Sequence, residues 1–317
     1  MRKFCLVFIG CCFLLVGCSN NDPDLHIQRV GMLVENEIDT HLWNQKGEAG
    51  LEAIKDEFGV RGFIVEEVST IYDAWEAVDS LVDRGVNLIF GHSSIYGEYF
   101  MEIANQYPGV HFVYFNGNYA ANNITSLNFN SHAAGFFAGM IASAMSETKQ
   151  IGIIAAYEWQ PEVEGFYEGA KYFDSQIRVH VNYVNNWNSF DAAIETYEKM
   201  RKENVDVFYP AGDMYSAEVI QLAEEDGVYT IGFVDDQMDI SRESILTSTI
   251  QDVDKLYLHI AHKFNDEELS GGIRTYGMQE GFIYLGEYNS KVPQDIVEMV
   301  EAHIETYLET NYLPNEN

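Results

Sequence analysis

Cysteine is absent from the chain after residue 18. All four cysteines of the 317-residue sequence lie in its first 18 positions. The rest of the chain therefore has no means of forming a disulfide, a thiolate nucleophile or a Cys-based zinc site. The sequence also lacks a P-loop, a GxSxG or HExxH motif and any Cys/His metal spacing. We expect no enzyme activity, no metal and no cofactor, with a carboxylate pair among the many acidic residues as the remaining route to catalysis.

Positive charge is scarce. The sequence contains 18 Lys and Arg against 50 Asp and Glu, which gives a formal net charge of −32. Such a chain is repelled by nucleic acid and by anionic lipid head groups. We therefore expect no direct nucleic-acid binding. Hydrophobic residues make up 47% of the sequence and aromatic residues 14%, which excludes disorder and supplies a large core.

The apolar run at residues 4–16 is too short for a membrane span of about 20 residues. It follows Arg2 and Lys3, an arrangement typical of a secretory signal peptide. Residues 15–18 (LVGC) resemble the lipobox of bacterial lipoproteins, which implies a signal peptide at 1–17, a lipidated Cys18 and an anchor on the extracytoplasmic face of the bacterial cell membrane. Residues 18–26 then form a polar tether. An ordinary cleaved signal or a short anchor helix is the alternative.

Residues 205–237 have the pattern of a βαβ unit. Two short apolar runs, 205–209 and 228–234, flank a helical segment, as in a parallel sheet. Ligands of such sheets bind where the strands end. Residues 211–214 and 235–237 are therefore the first places to look for a binding site.

The chain repeats itself at an offset of roughly 116–121 residues. GVNLIFGHSS at 85–94 matches NVDVFYPAGD at 204–213, and LNFN at 127–130 matches LTST at 246–249. A period this long indicates two similar α/β domains rather than a solenoid. The strands are continuous apolar runs, which predicts parallel sheets buried on both faces. Small residues at 131–146 predict a closely packed interior helix between the halves, and 271–288 reads as short strands or a hairpin.

Six segments in this order resemble the basic membrane protein (BMP) family, the PnrA-like substrate-binding lipoproteins of ABC transporters. They are the lipobox, LWNQKGEAGL at 42–51, GFFAGMIA at 135–142, IGII at 151–154, GFYEGAKY at 165–172 and GVYTIGFVDDQ at 227–237. The resemblance implies a type I periplasmic-binding-protein fold, with two doubly wound α/β lobes and a ligand cleft between them. It further implies that the chain passes between lobes near 128–131, 237–240 and 251–264. The predicted N-terminal lobe is 27–130 plus about 240–268, and the C-terminal lobe is 131–239 plus about 269–313.

The resemblance also implies ligand-binding residues. Trp43 and Asn44 match an aromatic–Asn pair that would stack on a flat base and bond its edge; packing between the lobes and helix capping are the alternatives. Phe190 matches a second stacking aromatic, with Trp187 as a nearby substitute and core packing as the alternative. The further predicted site residues are Gly212, Asp213, Asp236 and His92, each of which also has an ordinary structural explanation, such as turn formation or capping.

Three positions depart from the nucleoside-binding members of the family. Val234 and Asn116 stand where those members carry Asp, and Gln251 stands where they carry Lys. Each change removes a charge from the predicted cleft. A buried ribose diol facing Val234 would lose roughly 1–3 kcal/mol for each unpaired group. The departures favour a neutral or less hydroxylated ligand, or no ligand.

Two functions follow from these observations. The first is a solute-binding lipoprotein that passes a small ligand, purine-nucleoside-like, to an ABC permease. The second is a regulatory lipoprotein of the same family, a positive regulator of competence that acts indirectly and has altered or lost the ligand chemistry. The aromatic–Asn pair favours the first function, and the three departures favour the second.

Overall fold

The computed structural model describes residues 26–316. The predicted signal peptide, Cys18 and most of the tether lie outside this range. The strands are β1 (Arg29–Leu33), β2 (Arg61–Val65), β3 (Leu88–Gly91), β4 (His111–Phe115), β5 (Ile124–Asn130), β6 (Gln150–Ala155), β7 (Arg178–Tyr183), β8 (Val207–Ala211), β9 (Tyr229–Val234), β10 (Ile245–Gln251), β11 (Gly272–Gly277) and β12 (Ile283–Leu285). The α-helices are α1 (Leu42–Phe58), α2 (Ile71–Asp83), α3 (Tyr96–Ile103), α4 (His132–Met145), α5 (Pro161–Phe173), α6 (Phe190–Lys202), α7 (Ser216–Glu225), α8 (Val253–Asn265) and α9 (Gln294–Thr310). Short 3-10 helices occur at Ile38–Thr40 and Ala104–Gln106.

The strands form two six-stranded sheets, one in each lobe. The N-terminal lobe has the order β11-β5-β4-β3-β1-β2 and is parallel throughout. The C-terminal lobe has the order β12-β10-β9-β8-β6-β7, in which only the edge strand β12 is antiparallel. The central strands β3, β4 and β8 are buried along their whole length because helices cover both faces. The two-lobed α/β fold predicted from the internal repeat is confirmed.

The predicted βαβ unit is present as β8, α7 and β9. Its counterpart in the N-terminal lobe is β3, α3 and β4, at the spacing of the repeat. Helix α2 begins at Ile71, because Thr70 and Asp73 cap its first turn in a reciprocal pair of hydrogen bonds. Local sequence signals and the repeat therefore agree with the observed elements.

The lobe boundaries differ from the prediction. The chain passes between sheets after β5, after β10 and between β11 and β12. The predicted passage at 237–240 is wrong, because β10 pairs with β9 and extends the same sheet. Residues 272–277, assigned to the C-terminal lobe, instead form β11 beside β5 in the N-terminal lobe. Residues 271–288 consequently form two strands in different sheets, and not a hairpin.

Helices α4 and α5 pack at backbone contact distance. A Cβ placed on Gly169 of α5 would lie 1.8 Å from the Phe136 carbonyl oxygen, and one on Gly139 of α4 would lie 2.2 Å from the Phe166 carbonyl oxygen. Glycine is required at both positions because no side chain fits between the helices. The predicted interior helix at 131–146 is therefore present. Its glycines hold α5 in a fixed position, with the first turn of α5 at the cleft.

Helices α1 and α8 form the equivalent pair of the N-terminal lobe. Here an aromatic side chain fills the space between the helices: Tyr257 of α8 lies against Gly50 of α1 and stacks on Phe90 of β3 at a centroid distance of 4.1 Å. No helix within residues 26–316 is long and apolar enough to cross a membrane.

Candidate functional site

A cleft of about 720 Å³ lies between the lobes. It is lined by the segments that follow the carboxyl ends of strands in both sheets, where ligands of open parallel sheets bind. Seven of the predicted site residues line it, namely Trp43, Asn44, His92, Asn116, Asp213, Val234 and Gln251. The lining further includes Glu35, Asn36, His41, Ser93, Ser94, Gly117, Asn118, Asn128, Phe129, Ser131, Trp159, Gln160, Pro161, Glu162, Trp187, Asn188 and Phe233.

Trp43 lies in the first turn of α1 and is held on several sides. Its indole stacks on the His92 ring at 4.6 Å and meets the edges of Phe115 and Phe129 at 5.6 and 6.1 Å. The indole Nε1–H donates to the backbone oxygen of His92 at 3.0 Å. Packing of this kind fixes the orientation of the ring, so the indole is presented to the cleft in one position.

His92 is a buried, neutral support for Trp43. Its Nε2 lies 2.7 Å from the Trp43 carbonyl oxygen, and its Nδ1 lies 2.8 Å from the Tyr257 hydroxyl. The carbonyl oxygen only accepts, so Nε2 carries the proton and Tyr257 donates to Nδ1. Burial lowers the pKa of His92 to about 4, although the bond to the Trp43 carbonyl opposes the shift. The imidazole is therefore uncharged at neutral pH.

Asp213 joins the two lobes. It follows β8 in the C-terminal lobe, and its Oδ1 accepts the backbone N–H of Trp43 at 3.0 Å. The carboxylate thus caps α1 from the opposite lobe, where the helix dipole favours negative charge. Burial raises the pKa of Asp213, and the Trp43 N–H and nearby His41 oppose this shift. The alternative of a local turn cap is replaced by a cap across the cleft.

Two further contacts bring the lobes together on α1. Lys46 forms an ion pair with Asp235 at 2.6 Å, and the Asn188 amide nitrogen lies 3.2 Å from Nε2 of His41. All three of these contacts involve α1 or the residue before it. The lobes are therefore closed over the cleft and held together at α1.

Glu162 is the most deeply buried carboxylate of the cleft, at 4% exposure. It lies in the first turn of α5, where Gln160 donates an amide N–H to its Oε1 at 2.8 Å. Burial raises the pKa of Glu162, which the Gln160 bond and its own backbone N–H partly oppose. Glu162 was not predicted as a site residue. The repeat offers the signal that would have found it, because Glu162 corresponds to Asn44 at an offset of 118.

The three positions that depart from the family lie together in the cleft. Asn116 directly follows β4 and Val234 ends β9, and both have left-handed backbones, with φ of 57° and 66°. Asn tolerates this conformation, whereas a β-branched residue in it is strained. Gln251 donates to the Ser131 hydroxyl at 3.1 Å and so links two of the strand ends at which the chain changes lobe.

Three predicted site residues do not line the cleft. Phe190 begins α6 and is exposed, while Trp187 takes the place in the wall that was expected for it. Gly212 is a packing glycine, since a Cβ there would lie 2.0 Å from the Tyr215 ring. Asp236 faces a separate surface depression, and its Oδ1 accepts the backbone N–H of Met238 at 3.2 Å in the turn after β9.

Asn44 and Trp159 complete the polar and aromatic walls. The Asn44 amide nitrogen lies 3.4 Å from the backbone oxygens of Asn36 and Glu37, so it ties α1 to the loop before it instead of capping the helix. Trp159 is 61% exposed and packs edge-on to Trp187 at 5.7 Å. Aromatic rings thus enter the cleft from both lobes. Within residues 26–316, no three His, Cys, Asp or Glu side chains are grouped to hold a metal ion.

Two closed α/β lobes with a cleft at their strand ends define a type I periplasmic-binding-protein fold, which solved solute-binding proteins of ABC transporters share. The Bmp family, described as ABC transporter substrate-binding protein PnrA-like, matches residues 27–316, and the chain belongs to this family.

Three similar proteins illustrate its range. The transcriptional activator protein med of Bacillus subtilis (strain 168) is 42% identical over 95% of both chains. The crystal structure of a transcriptional activator of the comK gene from Bacillus halodurans is 44% identical with a TM-score of 0.85, covering 90% of this chain and 99% of that one. A purine-binding protein of Brucella abortus (strain 2308) is 24% identical over 83% of this chain and 74% of its own.

Proposed function

We propose that the protein is a lipid-anchored, extracytoplasmic solute-binding protein that holds a small, flat, purine-nucleoside-like ligand between its lobes and presents it to an ABC permease. The observation that carries the proposal is the closed interlobe cleft of about 720 Å³, which contains a fixed indole and many amide side chains. Ligand pockets for small molecules typically have volumes of about 300–1,000 Å³.

The wall chemistry supports a flat, hydrogen-bonding ligand. Trp43 is held by the ring of His92 and by edge contacts with Phe115 and Phe129, and the part of its indole that lines the cleft is available for stacking. Asn128 and Asn188 offer amide groups, which donate and accept, to a ring edge. A purine base has both the flat faces and the mixed edges that these groups match. The purine-binding relative of Brucella abortus supports the same ligand class.

The three departures from the nucleoside-binding members, at residues 116, 234 and 251, indicate which part of the ligand contributes most to the affinity. Val234 offers no hydrogen bond to a ribose diol, and Gln251 is uncharged and bonded to Ser131. Affinity therefore comes mainly from the base and less from the sugar. We expect free bases and nucleosides to differ less in affinity here than in a cleft that grips the diol with a carboxylate.

The test is a thermal-stability screen of the purified protein with purine nucleosides and their free bases. Binding to the folded state alone stabilises it by RT ln(1 + [L]/Kd), about 2.7 kcal/mol at 100 times Kd. We expect a shift with at least one purine, loss of that shift in Trp43→Ala, and an unchanged shift in Asp236→Asn, which alters a carboxylate outside the cleft. Absence of any shift at millimolar purine would refute the ligand assignment.

Anchoring through Cys18 has its own test. The residue lies outside the described range, and the proposal rests on the LVGC segment. We expect Cys18→Ala to move the protein out of the membrane fraction, with the wild-type chain as control. Retention of the variant in the membrane fraction would contradict lipid anchoring.

A second candidate function is regulation. It is favoured by the 42% and 44% identity to two transcriptional activators, together with the uncharged residues at 116, 234 and 251. The net charge of −32 makes contact with DNA unfavourable, so the effect on transcription would be indirect. In a deletion strain, Trp43→Ala should restore competence-gene expression fully if regulation needs no ligand. Loss of restoration, with normal protein levels, would tie regulation to the cleft.

A further inference from the structure

We infer that the cleft selects a ligand that carries a positive charge and binds it beside Glu162. The inference rests on the proposed solute-binding function and names the class of solute. It follows from the charges and hydrogen bonds of the cleft, which leave one buried carboxylate without a cationic partner.

Within residues 26–316, the cleft lining contains carboxylates but neither Lys nor Arg. The three carboxylates are Glu35, Glu162 and Asp213. The nearby Lys46 lies outside the lining and is already paired with Asp235 at 2.6 Å. The Oδ1 of Asn188 adds an acceptor that is buried and has no hydrogen-bond partner among the described residues. The described lining therefore carries negative charge without a Lys or Arg to balance it.

Glu162 differs from the other carboxylates in what surrounds it. Asp213 receives the Trp43 N–H and lies close to His41, whereas Glu162 receives only the neutral Gln160 amide and its own backbone N–H. The N-terminus of α5 contributes about half an elementary positive charge, which does not balance a full negative charge.

The hydroxyl groups of the tyrosines around Glu162 do not donate a hydrogen bond to its carboxylate. The Tyr209 hydroxyl is paired with Thr249 at 2.8 Å, and the Tyr215 hydroxyl donates to the backbone oxygen of Ile154 at 3.2 Å. Burial raises the pKa of Glu162, which shows that the folded cleft resists its charged form. A cation bound beside Glu162 would favour the charged carboxylate and lower its pKa, because it supplies the counter-charge in a site of low dielectric constant.

Aromatic rings in the same cleft favour the same ligand class. Trp43 enters from the N-terminal lobe, and Trp159 and Trp187 enter from the C-terminal lobe. Indole faces attract cations, and this attraction grows as the cation is desolvated. A flat cationic ring therefore gains from stacking as well as from Glu162, while an anionic ligand meets three carboxylates and neither Lys nor Arg in the described lining.

The experiment compares pairs of methylated molecules that differ in charge. The first pair is 1-methyladenosine, a cation at neutral pH, and its neutral counterpart N6-methyladenosine. The second pair is 1-methylnicotinamide, a cation, and its neutral counterpart methylated on the amide nitrogen. Affinities are measured by calorimetry for the full-length wild-type protein, Glu162→Gln, Glu162→Asp and the control Glu164→Gln. Glu164 lies on the same turn of α5 but is exposed and outside the cleft lining.

We expect the cation of at least one pair to bind at least tenfold more tightly than the neutral member of that pair. Glu162→Gln should reduce this preference to within twofold, while Glu162→Asp and Glu164→Gln should retain it. Adenosine 5′-monophosphate should bind at least tenfold more weakly than adenosine wherever adenosine binds.

Each failure has a separate meaning. Neutral nucleosides that bind as tightly as the cation would overturn the charge inference and leave the proposed function intact. Binding of the nicotinamide cation alone, dependent on Glu162, would support the inference and refute the purine-nucleoside assignment. No binding of either cation at millimolar concentration would overturn the inference, as would a cation preference that survives Glu162→Gln.

Discussion

The helix pair α1 and α8 of the N-terminal lobe and the pair α5 and α4 of the C-terminal lobe occupy equivalent places in the repeat, yet they pack differently. In the C-terminal lobe, glycines on both helices bring the backbones into direct contact. In the N-terminal lobe, Tyr257 separates the helices and lies against Gly50 of α1. One pair is joined by main chain, and the other is joined through an aromatic ring.

The difference reaches the cleft. Tyr257 bonds His92, and His92 supports Trp43, so the N-terminal wall is a connected set of rings with its hydrogen bonds made. The close α4–α5 pair instead fixes the first turn of α5, which carries Glu162 into the cleft with no charged partner. A repeat of one architecture has therefore produced one wall whose polar groups are paired and one whose buried carboxylate has no charged partner among the described residues.

The largest effect should come from the main-chain contact. Gly169→Ala places a methyl group 1.8 Å from the Phe136 carbonyl oxygen, and a helix backbone has little freedom to move away. We expect a loss of about 3 kcal/mol in the free energy of unfolding, measured by urea denaturation. Gly50→Ala should cost less, about 2 kcal/mol, because the Tyr257 ring can shift. The control Gly109→Ala, where no atom lies within 4 Å, should change stability by under about 0.5 kcal/mol. Equal losses of stability in Gly169→Ala and Gly50→Ala would contradict the distinction between a main-chain contact and a contact through an aromatic ring.

The N-terminal wall should weaken in acid. The pKa of His92 is about 4 in the folded protein and about 6.5 in a model peptide, so the unfolded chain binds the proton first. This contribution to stability is present above pH 6.5 and is lost as the pH falls towards 4, on the order of 3 kcal/mol. His92→Gln should flatten that part of the pH–stability curve, measured by thermal unfolding. A curve that keeps its slope would show that another group is responsible.

Removal of the Tyr257 hydroxyl should have a smaller effect. Tyr257→Phe keeps the ring between the helices but leaves Nδ1 of His92 without a donor in a buried site. We expect a loss of about 1–2 kcal/mol in the free energy of unfolding. The matched control is Tyr107→Phe, which removes an exposed hydroxyl bonded to Asp79 and should change stability little. Similar losses in both variants would argue against a special role of the His92 bond.

The smallest predicted effect concerns the two left-handed strand ends. Val234→Asn should relieve backbone strain and raise the free energy of unfolding by about 1 kcal/mol, because Asn accepts positive φ. The reciprocal change Asn116→Val should lower it by about 1–2 kcal/mol. Denaturation of the two single variants checks both signs. Destabilisation by Val234→Asn would mean that packing of the valine outweighs the strain.

Individual residues show why the sequence predicts some of the residues that line the cleft and not others. The resemblance to the family predicts Trp43 and Asn44, because the aromatic–Asn pair is local in sequence, and both residues line the cleft. Phe190 was preferred to Trp187 because matching by sequence does not tell which of two nearby aromatics turns inward, and the start of α6 directs Phe190 to the surface. Asp213 was expected as a ligand group or a turn cap, but its partner is the backbone N–H of Trp43, 170 positions away.

The sequence by itself determined the two α/β lobes, because the hydrophobic pattern of the strands and a repeat of about 118 residues can be read directly from it. It also determined the overall negative charge and the family. Only the tertiary structure decided that β10 joins the sheet of the C-terminal lobe and β11 the sheet of the N-terminal lobe. Strands that are far apart in sequence pair where a sheet edge is available, and the local sequence pattern does not specify that edge. The tertiary structure alone decided that Glu162 is buried with no cationic partner among the described residues, because burial depends on how segments distant in sequence pack together.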